Sequence, residues 1–223
     1  MEPILLKNAK LAKTSEDIFI CVASPEERCK GSVLTINSDY NFRKSYVLNY
    51  SDKPNKDREE NTIIILDVLR KISNSIQELN INEEKPIPII QLIVEDILSI
   101  KNKENDFNIF IDFSTMIKWH FLILLKALHL NGLIEKVHFI YTEPQDYIVD
   151  LFQPLSYGLK SIFPIPTYYG NFDYSKETAL ILFLGYEGDR ALSILEKSDP
   201  SVCVILIGKP AYHQEWEKRT EEL

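Results

Sequence analysis

Cysteine, glycine and basic charge are all scarce in this chain of 223 residues, and each shortage removes a class of protein. The three cysteines, Cys21, Cys29 and Cys203, are odd in number and lack paired metal-ligand spacing. A disulfide scaffold and a cysteine zinc site are thereby excluded, leaving free thiols in a reducing compartment. The seven glycines form neither a GxxxxGKS/T loop nor a three-glycine dinucleotide fingerprint, and there is no GxSxG elbow. His120, His129, His138 and His213 make no HxH or HExxH pair, so no metal is expected. With 25 basic against 33 acidic residues the net charge is −8. Such a surface repels phosphate backbones, and bulk nucleic-acid binding is not expected. The most apolar stretch, Met116–Ile134, is interrupted by Lys118, His120, Lys126 and His129. Its apolar runs fall far short of the roughly 20 residues that span a bilayer. Met1-Glu2-Pro3 opens no basic-then-apolar leader, so a soluble, cytoplasmic protein without a membrane partner is expected.

What is present is an ordinary globular balance, 45% apolar and 26% charged. The 29 isoleucines and 14 asparagines against 7 alanines suit an AT-rich, bacterial genome. Asp17–Ala23 (DIFICVA) is a short apolar run of β-formers. Ser24-Pro25-Glu26-Glu27 after it predicts a helix capped by Ser24, with Glu27 completing a capping box. Ser45–Tyr50 is a second strand. Ile65, Val68, Leu69, Ile72, Ile76 and Leu79 recur at helical spacing and predict one long helix from about 58 to 79. Pro86–Ile100 is ambiguous between extended and helical. Asp106–Phe113 predicts a buried strand, followed by a helix capped at Ser114 or Thr115 and ended by Asn131-Gly132. Val137–Thr142 is the next strand. Residues 143–171 read as a long irregular stretch, with a short helix near 146–152 and an edge strand near Ile162. Thr178–Gly185 and Val202–Gly208 are further strands around a helix at 189–197, and 214–223 a charged terminal helix.

Uniformly apolar strands alternating with helices predict an α/β fold: a doubly wound, mainly parallel sheet, Rossmann-like, with helices on both faces. Strands 18–23, 107–113, 137–142, 179–185 and 202–208 are expected in that sheet. Ile65, Leu69, Ile111, Leu122, Leu125, Ile140, Leu182 and Ile205 are expected in one core. The chain reads as a single domain, 1–223. Two quasi-repeated halves, about 1–105 and 106–223, are the alternative, because Ala23–Cys29 and Leu184–Ala191 share a strand, small residue, ring, glutamate and arginine order.

In open α/β sheets ligands bind beyond the carboxyl ends of the strands. The candidates there are Ser24, Glu26 and Arg28; Asp112, Ser114, Thr115 and Lys118; Tyr186, Glu187 and Arg190; and Lys209. Such residues also serve as caps and turns. Glu187 and Glu143 are the candidate carboxylates should the site be catalytic. Tyr141, Tyr147, Tyr157, Tyr168, Tyr169 and Tyr186 could stack a base or pack an interface. Cys29, flanked by Arg28 and Lys30, is reactive if exposed and inert if buried.

Asp112-Phe113-Ser114-Thr115 with Lys118 resembles the strand-end Asp-x-Ser/Thr and lysine region of the Rossmann-like sensor domains of CRISPR-associated effectors. It lacks their following glycines, having Met116 and Ile117 there instead. The resemblance covers roughly residues 106–142. It implies a non-catalytic ligand-sensing or partner-docking subunit in a bacterial antiphage defence system, with a nucleotide-type ligand and a partner protein encoded nearby. An enzyme acting on a nucleotide or glycosidic bond, and a purely structural interaction subunit, are the alternatives.

Overall fold

A computed structural model of the chain describes residues 16–36, 40–50, 54–101, 106–145, 162–171, 173, 175–184, 189–209 and 218. The chain divides into two compact units, Met1–Asp146 and Tyr147–Leu223. The fold is α/β and Rossmann-like.

In the first unit, β1 (Ile18–Ala23) is buried along its whole length, as an apolar run with no polar alternation requires. It pairs in parallel with β2 (Lys44–Tyr50) on one side and β4 (Ile109–Asp112) on the other. β3 (Ile76–Ile81) and β5 (Val137–Ile140) complete a five-stranded sheet in the order β3-β2-β1-β4-β5. The helices are α1 (Gly31–Thr35), α2 (Lys56–Ile72), α3 (Ile87–Lys101) and α4 (Lys118–Leu130). Strand order runs outward from β1 to β3 and then jumps back to β4. Right-handed crossovers therefore set α1 and α2 on one face and α3 and α4 on the other. The core under α2 joins Phe19, Val47, Ile65, Leu69 and Phe110. Phe42 stacks on Phe19 at 5.2 Å and meets Phe110 edge-on at 5.7 Å.

Several expectations are corrected. The long helix stops at Ile72, and Ile76 and Leu79 belong to β3. Ser73-Asn74-Ser75 breaks it, because these short polar side chains compete for the helical backbone bonds. Asn74 N donates to Phe42 O at 2.8 Å, and Ser45 N donates to Ser75 O at 2.9 Å, which starts the β2–β3 ladder. No capping box follows β1: the Ser24 hydroxyl accepts from Glu26 N at 3.2 Å, and a 3-10 turn at Glu27–Lys30 precedes α1. Pro86–Ile100 resolves as helix. α4 starts at Lys118 rather than at Ser114 or Thr115, and neither caps it. Its end is as expected: Gly132 has φ 63°, and Leu133 N donates to Leu128 O and Gly132 N to His129 O, a Schellman motif. The buried stripe of α4 is His120, Ile123, Leu124 and Leu128, which leaves Leu122 and Leu125 on the half-buried flanks.

In the second unit, β6 (Ala179–Leu184) pairs in parallel with β7 (Val202–Ile207), connected by α5 (Asp189–Ser198). These strands form their own two-stranded ladder instead of joining the five-stranded sheet. Leu182 is buried, but its register partner Ile205 is 53% exposed and is no core residue. The expected helix at 146–152 lies outside the described residues, as does the terminal helix apart from Lys218. There is no strand among the described residues 162–171. Among the described residues no helix is long and apolar enough to cross a membrane.

Candidate functional site

The jump from β3 back to β4 makes the β1/β4 boundary the topological switch point, where the chain leaves β1 towards one side and β4 towards the other. Segments after β1, β4 and β5 meet there. Ser24, Glu26 and Arg28 follow β1. Asp112 ends β4, with Ser114 and Thr115 in the turn after it, and Tyr141 and Thr142 follow β5.

Asp112 is the centre of a buried polar cluster. Its Oδ2 accepts a hydrogen bond from the Ser32 hydroxyl of α1. Its Oδ1 accepts from the Ser114 hydroxyl and from Ser114 N at 2.9 Å. Ser114 Oγ in turn accepts from Thr142 N at 2.7 Å. Three chain segments thus converge on one carboxyl, with Ser32 and Ser114 as buried as Asp112 itself. Burial pushes the Asp112 carboxyl above its ordinary value, and its hydrogen bonds and the Arg28 charge only partly oppose this. Gly31 packs directly on the same corner. A Cβ there would lie 2.3 Å from Thr142 Cγ2 and 2.6 Å from Thr142 Oγ1, so the close approach of α1 to the β5 exit requires glycine.

Outside this cluster the chemistry is cationic and aromatic. Arg28 Nε donates to Glu26 Oε2 at 2.6 Å, and Arg28 Nη1 donates to the Tyr141 hydroxyl at 3.3 Å. The guanidinium carbon lies 5.9 Å from the centre of the Tyr141 ring, which is 49% exposed. Partial desolvation works against the guanidinium charge, and the Glu26 carboxylate more than compensates, raising its pKa. Tyr141 leans on Phe113 at 5.5 Å, and Phe113 stacks on Phe121 of α4 at 4.9 Å. The edge therefore offers a positioned guanidinium next to an aromatic surface.

The remaining candidates are placed as follows. Ser24 is buried and structural: its carbonyl accepts from Asn61 Nδ2 at 2.9 Å and from Cys29 Sγ at 3.4 Å. Thr115 Oγ1 donates to Val22 O at 3.5 Å. Lys118 is exposed on the first turn of α4, and Glu143 is exposed beyond β5. Lys209 is exposed after β7 in the second unit. Tyr186 and Glu187 lie outside the described residues, as does the Arg190 side chain, whose backbone opens α5. Cys29 is buried, and desolvation raises its thiol pKa despite the lowering influence of Lys30, so it is inert.

Reading the sequence missed Ser32 and Gly31, which sit in the first crossover rather than at a strand end. It also missed a second buried polar hub. Ile117 N donates to the Tyr50 hydroxyl at 3.2 Å, and that hydroxyl lies 3.2 Å from His120 Nδ1. His120 Nε2 is 2.8 Å from Glu83 O. A carbonyl only accepts, so Nε2 carries the proton and Nδ1 accepts from Tyr50. Desolvation lowers the His120 pKa, and burial pushes Tyr50 up to about 12. The hub ties the ends of β2 and β3 to the start of α4 just beside the switch point. Among the described residues no group of three His, Cys, Asp or Glu side chains could hold a metal ion. No protein-family model matches the chain, and no curated protein sequence matches it either.

Proposed function

We propose that this chain is a non-catalytic Rossmann-like subunit that senses a small anionic ligand of the nucleotide type at the carboxyl edge of its first sheet. In this reading ligand occupancy is relayed to a partner protein, in the bacterial defence setting implied by the resemblance of Asp112–Lys118. The supporting observation is the pairing of Arg28 with Tyr141 at the switch point. A nucleotide needs a charge-assisted donor for phosphate and a flat apolar surface for its base, and these two side chains offer both side by side. The buried Asp112, Ser32 and Ser114 cluster holds the strand exits that carry them.

The test is calorimetric titration of the full chain with nucleoside mono-, di- and triphosphates, repeated with Arg28→Ala and Tyr141→Ala. Arg28→Ala should weaken binding by the equivalent of about 1–3 kcal/mol, the worth of a charge-assisted hydrogen bond. The melting temperature should hardly change, since among the described residues the Arg28 guanidinium meets an exposed carboxylate and the half-exposed Tyr141 side chain. Unchanged affinity in both variants, or no binding of any nucleotide, would overturn the reading.

A further inference from the structure

We infer that Glu26 is a specificity-determining residue of this edge: it limits how much affinity extra negative charge on an anion gains from Arg28. The inference rests on the reading of Arg28 as the anion contact. A guanidinium presents five N–H groups in a planar fork, and it holds carboxylate or phosphate best through two parallel bonds on one edge. In this protein Glu26 Oε2 occupies Nε at 2.6 Å, and the Tyr141 hydroxyl lies 3.3 Å from Nη1. Nη2 has no partner among the described residues. An anion that grips the Nε/Nη2 edge must therefore take Nε from Glu26.

Displacing that carboxylate is cheap, because the Glu26 side chain is 57% exposed and can return to water. Its charge stays, however, tethered two residues from the bound anion. The neighbouring groups do not neutralise it. Lys30 is ion-paired with Glu27, and Asp112 lies buried behind Ser32. Glu26 and Glu27 match Arg28 and Lys30 charge for charge, so the paired groups leave no surplus positive charge for a bound anion. The pull of Arg28 and the repulsion of the displaced Glu26 both grow with every charge on the ligand, so Glu26 cancels part of what each extra charge would gain. A multiply charged anion therefore gains less over a singly charged one than Arg28 alone would give it. Tyr141 holds Nη1 from the other side, so Arg28 stays aimed when Glu26 lets go.

The decisive probe is a charge series on constant chemistry: dimethyl phosphate, methyl phosphate and pyrophosphate, titrated into the full chain. Nitrogen-edited NMR of the arginine Nε–H groups reads out Arg28 directly. Glu26→Gln keeps the side-chain shape and removes the charge. It should tighten pyrophosphate about ten-fold and methyl phosphate about three-fold, with dimethyl phosphate changed less than about two-fold, on the scale of one partly exposed ion pair plus graded repulsion. Glu95→Gln, on the exposed side of α3, serves as the control for bulk charge and should change none of the three. Equal gains for all three probes, a loss of affinity, or the same graded gain in Glu95→Gln would overturn the assignment while leaving the anion site standing. No response of Arg28 to any probe in either protein would remove the anion site itself, and the role of Glu26 with it.

Discussion

Replacing Asp112 separates the two things a buried carboxylate does, accepting hydrogen bonds and carrying charge. The side chain is 3% exposed and is held by Ser32, by the Ser114 hydroxyl and by Ser114 N. Asp112→Asn keeps the shape and retains an oxygen for the Ser114 donors. Its amide can donate to Ser32, whose hydroxyl rotates to accept. The charge disappears at no loss of hydrogen bonds, and the desolvation that raises the folded-state pKa above 3.8 disappears with it. The variant should therefore lie within about 1 kcal/mol of the parent at pH 7, on the stabilised side. Asp112→Ala removes the acceptor altogether and orphans buried donors from two segments. At about 1–3 kcal/mol for each unsatisfied buried group, offset in part by rotation of the two hydroxyls, a loss of about 2–4 kcal/mol follows.

The pH dependence has a definite sign. A carboxyl with a raised folded-state pKa binds more protons folded than unfolded between the two values. Its favourable contribution is present below 3.8 and is lost as the pH rises through the folded-state value. The parent should thus fall steadily behind Asp112→Asn over that window, and urea titrations at half-unit pH steps would follow it. An Asp112→Asn loss above about 2 kcal/mol at pH 7 would refute the argument. It would mean that the charged form is favoured in place, with Ser32, Ser114 and Arg28 outweighing burial.

Two further outcomes are expected. His120 has a folded-state pKa below 6.5, so its contribution is present above pH 6.5 and is lost as the pH falls through the folded value, an acid-side loss that His120→Gln should abolish in the same titrations. Gly31→Ala should cost about 1–3 kcal/mol by overpacking against Thr142, and Thr142→Ala in the same chain should recover part of it, because the two closest atoms are then gone; simple additivity in denaturant melts would show that the contact is slack.

The strands β1, β2 and β4 to β7 were legible because each is a short run rich in apolar β-formers bounded by turn residues; burial along the whole length belongs to β1 and β4 alone among them. β3 was not. Ile76 and Leu79 continue the three-to-four spacing of α2, and only the Ser73-Asn74-Ser75 break and the burial of Leu79 and Ile81 between exposed Glu78 and Asn80 betray a strand. At the site, strand ends located Ser24, Arg28, Asp112 and Ser114, since topology alone puts them on one edge. The partners were illegible. Arg28 meets Tyr141 across 113 positions, and Ser32 meets Asp112 across 80. Such pairings follow from sheet register, which local spacing does not encode.

The central position of β1 has a consequence for the order in which the molecule can be made. Its neighbour β2 follows within some 25 residues, but β4 pairs with it from far downstream, and the clip between Asp17 and Asn108 at their common start spans 91 positions. At about 5–20 residues per second of synthesis, one flank of the most apolar strand waits roughly 5–20 seconds for its partner. During that interval β1, β2 and β3 make a three-stranded sheet with α1 and α2 on one face and neither α4 nor β4 yet available. The nascent chain would then offer Phe19, Ile20 and Cys21 beside an open edge, the segment on which a cotranslational chaperone would act.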